Sequence, residues 1–127
     1  MQKSIIKTSS APAPIGPYNQ AVKAGNLLFV SGQIALDPAT GSLVNMSIEE
    51  ETTQVMKNLG AILTEAGAGF EHIAKTTIFL SDMSLFATVN EIYGSFFSGN
   101  DFPARETVAV KGLPKNVNVE ISVIASL

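Results

Sequence analysis

From Val117 to Leu127 the chain alternates without a break. Val117, Val119, Ile121, Val123, Ala125 and Leu127 share one parity, and Asn118, Glu120, Ser122, Ile124 and Ser126 share the other. Successive side chains of a strand point to opposite faces, so this run predicts a strand with one fully apolar face and one mostly polar face. Glu120 is its only acid and falls on the polar side. Just upstream, Phe102-Pro103-Ala104-Arg105 leads into a short run, Glu106 to Lys111, closed by Gly112-Leu113-Pro114. Arg105 and Thr107 share one parity there, and Val108 and Val110 take the other. If the two runs are adjacent strands, Arg105 and Glu120 are expected on one polar surface.

Arg105 is the only arginine; the other seven basic residues are lysines. A guanidinium is a planar fork that grips a carboxylate or phosphate through two parallel hydrogen bonds, which an ammonium does not do. The 127 residues suffice for one domain with a substantial core, and 1–127 is read as one. Only 15% of residues are charged against 46% hydrophobic. That balance fits either a tightly buried monomer or, better, a subunit that hides apolar surface against copies of itself. With a net charge of −3 and lysines scattered singly, electrostatic binding to nucleic acid is disfavoured.

The chain has no cysteine and one histidine, which excludes a thiolate nucleophile and any multi-histidine metal site within one chain. His72 stands where a strand is expected to begin, so a surface or capping role suits it better than catalysis. Residues 1–30 lack a charged start followed by an apolar segment, and no apolar run approaches a membrane span. A cytoplasmic protein is expected.

In order, Ser4 to Thr8 reads as an edge strand. Pro12, Pro14 and Pro17 then exclude helix and central strand. After Gly16-Pro17, Tyr18 either presents its hydroxyl or packs its ring on the core. Asn19 to Lys23 and Leu27 to Ile34 form a hairpin around Ala24-Gly25-Asn26, with Ser31-Gly32 marking a bulge or a close approach. Ser47 and Glu50 make a capping box at the start of a helix. Glu49, Glu50 and Glu51 crowd its first turn, where the dipole favours acids, and are read as capping and solvated. Val55, Met56, Leu59, Ile62 and Leu63 give it an apolar stripe, and Gly67 and Gly69 end it. His72 to Ser81 is the next strand. Asp82 or Ser84 caps a second helix, whose buried side is Leu85, Phe86, Val89, Ile92, Tyr93, Phe96 and Phe97. Asn90 is solvent-facing by spacing alone. The order β-β-β-α-β-α-β-β predicts an α+β fold: a single mixed sheet with both helices on one face and the other face open to self-association.

These residues also carry a resemblance. Ile15-Gly16-Pro17-Tyr18, Val30-Ser31-Gly32-Gln33-Ile34, Lys75-Thr76-Thr77-Ile78-Phe79-Leu80, Phe86-Ala87-Thr88-Val89-Asn90, Phe102-Pro103-Ala104-Arg105, Leu113-Pro114-Lys115 and Val119-Glu120-Ile121 stand in order along nearly the whole chain. In this the sequence resembles the RidA (YjgF, L-PSP-type) family. The resemblance implies a chorismate-mutase-like fold and a homotrimer with clefts between subunits. It also implies hydrolysis of reactive 2-imino acids, such as 2-iminopropanoate and 2-iminobutanoate, to the 2-oxo acid and ammonia, without cofactor or metal. Carried over, Arg105 holds the substrate carboxylate and Glu120 orients or activates water. Tyr18, Ser31, the Gly32 backbone and Asn90 line the cleft. Two departures stand out. Thr107 replaces a common cysteine, where a small group is expected to suffice. Glu106 replaces a small or apolar residue, and parity turns it away from Arg105. The competing functions are a module that binds a small carboxylate such as a 2-oxo acid without turnover, and a ribonuclease or translation inhibitor.

Overall fold

The structure, a computed structural model, describes residues 2–127. Six strands form one sheet: β1 Lys3–Ile6, β2 Ala21–Ala24, β3 Leu27–Gln33, β4 Ile73–Leu80, β5 Ala104–Ala109 and β6 Val119–Ser126. Two helices, α1 Ile48–Glu65 and α2 Phe86–Gly94, complete the expected order. The sheet runs β1-β2-β3-β6-β4-β5, so the alternating C-terminal strand lies at its centre. Only β4 and β5 are parallel, joined by the crossover through α2; every other neighbouring pair is antiparallel. The fold is α+β with a mixed sheet, as the element order predicts.

The apolar parity of β6 does what its composition requires. Val119, Ile121, Val123 and Ala125 are buried with Leu28, Ile78 and Leu80 from the neighbouring strands and Val55, Met56, Leu59, Ile62 and Leu63 from α1. Each fully buried large side chain contributes roughly 1.5–3 kcal/mol, so this layer fixes the docking of α1. Asn58, also buried, donates from Nδ2 to the carbonyls of Ile34 and Leu36 at 3.1 and 2.9 Å, tying the helix to the chain leaving β3.

The local signals hold with some shifts. Ser47 caps α1 by accepting from the Glu50 amide at 3.1 Å; of the expected capping box, this is the bond found. The chain turns away through Gly67, whose φ of 77° is the left-handed value a helix exit requires. The His72 ring caps as expected: Nδ1 accepts from the Gly69 amide at 3.0 Å. Asp82 caps a short 3-10 turn, Met83–Leu85, ahead of α2. The β3–β6 register shifts between Val30 and Gln33, so Ser31-Gly32 is the expected bulge. The strand stops at Gln33, one residue before Ile34.

One reading is overturned. Glu51 is not solvated: it is fully buried. Its Oε2 accepts from the amides of Asn118 and Val119 at 2.7 and 3.1 Å, and its Oε1 accepts from Asn118 Nδ2 at 3.0 Å. Three consecutive acids in a helical turn span more than half its circumference, so one of them must turn inward. No described helix is long and apolar enough to cross a membrane.

Candidate functional site

Glu120 begins the polar parity of β6, directly after the two residues that Glu51 clamps. On the open side of the sheet it stands level with Phe79 of β4, and Phe79 is level with Val108 of β5. Across the β3 bulge it meets Gly32 at close range. A Cβ on Gly32 would lie 2.8 Å from Glu120 Cδ and 3.0 Å from Cγ, closer than carbon atoms pack. Glycine is thus required for the carboxylate's present position. The residue it would push is the end of a flexible side chain, so the fold would survive the change. Gly32→Ala is expected to displace Glu120 and lower turnover at least about tenfold, while stability changes by under ~1 kcal/mol. Thermal unfolding and rate, measured on the same sample, check this.

Glu120 lines a cavity of about 410 Å³ together with Tyr18, Ser31, Gly32, Gln33 and Pro114. Its proline-loop wall is held from beneath. Buried Gln20 accepts from the Thr8 amide at 2.7 Å and donates to the carbonyls of Thr8, Ala11 and Pro12 at 2.9–3.2 Å. Tyr18 is 47% exposed, which resolves its two readings in favour of presentation to the cavity; its Oη accepts a long bond from the Ile15 amide at 3.4 Å. The Ser31 hydroxyl donates to the Asn19 carbonyl at 2.6 Å.

Burial raises the Glu120 pKa above the ordinary glutamate range, and no neighbouring cation opposes it. The folded state therefore binds this proton more tightly than the unfolded chain does. Glu120 favours folding below the ordinary glutamate pKa, and that contribution disappears as pH rises through the raised value. Glu120→Gln is accordingly expected to raise the unfolding temperature at pH 7 and to lose this advantage on acidification toward pH 4. Calorimetric scans of both proteins across that range provide the check.

Arg105 lies elsewhere. It is level with Thr76 of β4, three residues from the Phe79–Glu120 level, so its side chain leaves the opposite, helix-covered face of the sheet. The expected shared polar surface of Arg105 and Glu120 does not exist within one chain. Arg105 opens instead onto a second cavity of about 440 Å³, lined by Asn90, Tyr93, Gly94, Phe102 and Pro103. Its Cζ sits 5.7 Å from the Phe86 ring centroid and 5.2 Å from that of Tyr93. Phe86 is 37% exposed and so is not simply the core residue its spacing suggests. Phe86, Asn90 and Tyr93 recur at i, i+4 and i+7, the spacing of one helix face; that was the signal available in the sequence.

Neither ion pair among the described residues involves Arg105. Glu106 faces away, as parity implied, and pairs with Lys75 at 3.2 Å. Thr107 shares Arg105's side of β5, level with Ile78. Its hydroxyl is buried without a hydrogen-bond partner. The site residues thus fall into two groups: Tyr18, Ser31, Gly32 and Glu120 at one cavity, and Asn90 and Arg105 at the other, with Thr107 beside them.

The sequence profile of the family described as Endoribonuclease L-PSP matches residues 8–127. The chain belongs to this family, the RidA/YjgF proteins. A RutC family protein of Synechocystis is 52% identical over 128 residues, covering 100% of this chain and 98% of that protein. The mouse protein named 2-iminobutanoate/2-iminopropanoate deaminase is 48% identical over 123 residues, covering 97% of this chain and 90% of the relative. Among solved RidA-type structures, E. coli TdcF with bound serine superposes with a TM-score of 0.92 at 40% identity, covering 98% of each chain. Family members therefore carry imine-deaminase and endoribonuclease names alike, and the chemistry of this chain's own site has to separate them.

Proposed function

We propose that this protein hydrolyses 2-imino acids of the 2-iminopropanoate and 2-iminobutanoate type to 2-oxo acids and ammonia, in sites completed between neighbouring copies of a homotrimer. The observation that carries the reading is Arg105: a lone guanidinium, without a counter-ion among the described residues, open to a cavity. A fork in that state is suited to the carboxylate of a small acid. The mouse relative's name supplies the imine at the neighbouring carbon.

The chemistry asks little more. The imine carbon is already electrophilic, so a fixed substrate, a water and a base suffice. Arg105 anchors the carboxylate. Glu120, its basicity raised by burial, takes a proton from the attacking water. The water oxygen bonds to carbon as the C=N π bond opens and the proton passes to nitrogen, giving a carbinolamine. Its hydroxyl proton then also passes to nitrogen as the C–N bond breaks, so that the C=O forms and ammonia leaves. Tyr18, Ser31, the Gly32 backbone, Asn90 and Thr107 shape the cleft around these atoms.

Because Arg105 and Glu120 leave opposite faces of the sheet, one substrate meets both only when a second copy contributes. The open sheet face favours such assembly. Ile5, Leu27, Phe29 and Val108 are 37–58% exposed there, too much apolar surface for a charge-poor chain to leave in water. The serine bound in E. coli TdcF also suits a second reading, a module that holds a small carboxylate without turnover. The endoribonuclease reading finds less support, since the net charge is negative and the lysines are scattered singly along the sequence.

The test couples a pyridoxal-phosphate-dependent threonine or serine dehydratase to this protein. Appearance of 2-oxo acid is followed while semicarbazide competes for the imine. Acceleration that disappears in Arg105→Ala supports the deaminase. Binding of 2-oxo acid without acceleration supports the module.

A further inference from the structure

Arginines that bind ligands are commonly braced by a carboxylate, which fixes the fork but neutralises its charge. Arg105 is braced differently. Two aromatic faces, Phe86 and Tyr93, lie within 5.7 Å of its Cζ, and no acid among the described residues pairs with it. Tyr93 is itself held on several sides. Its ring is 4% exposed and packs against Phe97 with centroids 4.9 Å apart. Its Oη donates to Thr76 Oγ1 at 2.9 Å, and that bond is buried. Burial pushes the phenol's pKa above its ordinary value, against the opposing pulls of the Thr76 bond and of Arg105, so the hydroxyl stays protonated and able to donate. Thr76 is the β4 residue level with Arg105. The bond therefore ties the ring to the same rung of the sheet that carries the arginine.

We infer that Tyr93 is a positioning residue for the carboxylate-binding arginine: its ring seats the guanidinium while its hydroxyl, fixed on Thr76, holds the seat in place. A seat of this kind orients the fork by its π face and consumes none of its N–H donors. It also leaves the full positive charge for the incoming anion. The inference rests on the reading of Arg105 as the carboxylate anchor.

The experiment measures binding of 2-oxobutanoate to the full-length protein by titration calorimetry, with the Arg105 Nε–Hε resonance followed by NMR. Because the chain has one arginine, that signal needs no assignment. In the wild type the proton is expected upfield, shifted by the rings, and to move on ligand addition. Tyr93→Leu removes the seat: the proton moves downfield and Kd rises about tenfold. Tyr93→Phe keeps the face and loses the lock, raising Kd about twofold to threefold; it also serves if the leucine variant does not fold. In the coupled reaction both changes fall on KM, with kcat within about twofold of wild type. A Kd and an Nε–Hε shift unchanged in Tyr93→Phe, and in Tyr93→Leu where it folds, would overturn the inference alone. Failure of the wild type itself to bind, with no difference from Arg105→Ala, would remove the carboxylate reading of Arg105 and this inference with it.

Discussion

Two inactive proteins are expected to make an active one. Arg105→Ala and Glu120→Ala should each lower the proposed imine hydrolysis by at least about a hundredfold, since one removes the proposed carboxylate anchor and the other the proposed base. When the two variants are co-expressed, or mixed under mild denaturant and reassembled, activity should return. In the proposed assembly each substrate meets the arginine of one copy and the glutamate of another, so random mixing leaves about a quarter of the sites with both residues intact. The arrangement behind this is the separation of levels on β4, Thr76 for Arg105 and Phe79 for Glu120, which places the side chains on opposite faces. Recovery to about a quarter of the wild-type rate, and none when Arg105→Ala is mixed with a chain lacking both residues, is the expected outcome. Mixed assemblies, verified by native mass spectrometry, that stay inactive would contradict the shared site.

The second large effect falls on stability. Glu51→Ala should destabilise the fold by about 2–4 kcal/mol, because it orphans two backbone amides and the Asn118 side-chain amide and leaves a void beneath them. For a chain of this size that is a drop on the order of 10 °C in unfolding temperature. Glu51→Gln retains one acceptor oxygen and should lose about 1 kcal/mol. The same clamp ends one residue before Glu120, so whatever survives of Glu51→Ala at low temperature should also turn over more slowly. Thermal scans of the three proteins, paired with rates at 10 °C, separate the two effects. An alanine variant as stable as wild type would mean that water replaces the carboxylate without penalty.

Much of this was readable from residue order. The Ser47 and His72 caps rest on contacts within a few residues, where spacing and structure are nearly the same statement. The alternation of β6 and the small Ser31-Gly32 pair are legible in residue order although their partners are distant. The placement of Arg105 and Glu120 was not of that kind. Alternation tells that a strand has two unlike sides; it does not tell which side of the sheet each one joins. In β5 the apolar parity, Val108, points to the open face, 46% exposed, while polar Arg105 and Thr107 lie toward the helices. Polar side chains in the two strands therefore form two surfaces, on opposite faces of the sheet. Glu51 escaped for a related reason: its partner lies 67 residues away, and nothing in an acidic first turn says which acid faces inward.

The half of the site around Arg105 has a consequence for how the protein ages. Beside Arg105 it carries Thr107, whose hydroxyl peroxide does not attack. The chain has no thiol at all, and of its methionines Met56 is sealed in the core while Met46 and Met83 line neither site cavity. Among the described residues, peroxide therefore finds no sulfur lining either half of the site. A site built this way has no thiol to lose when a cell's thiol pool is spent, and none through which it can be throttled.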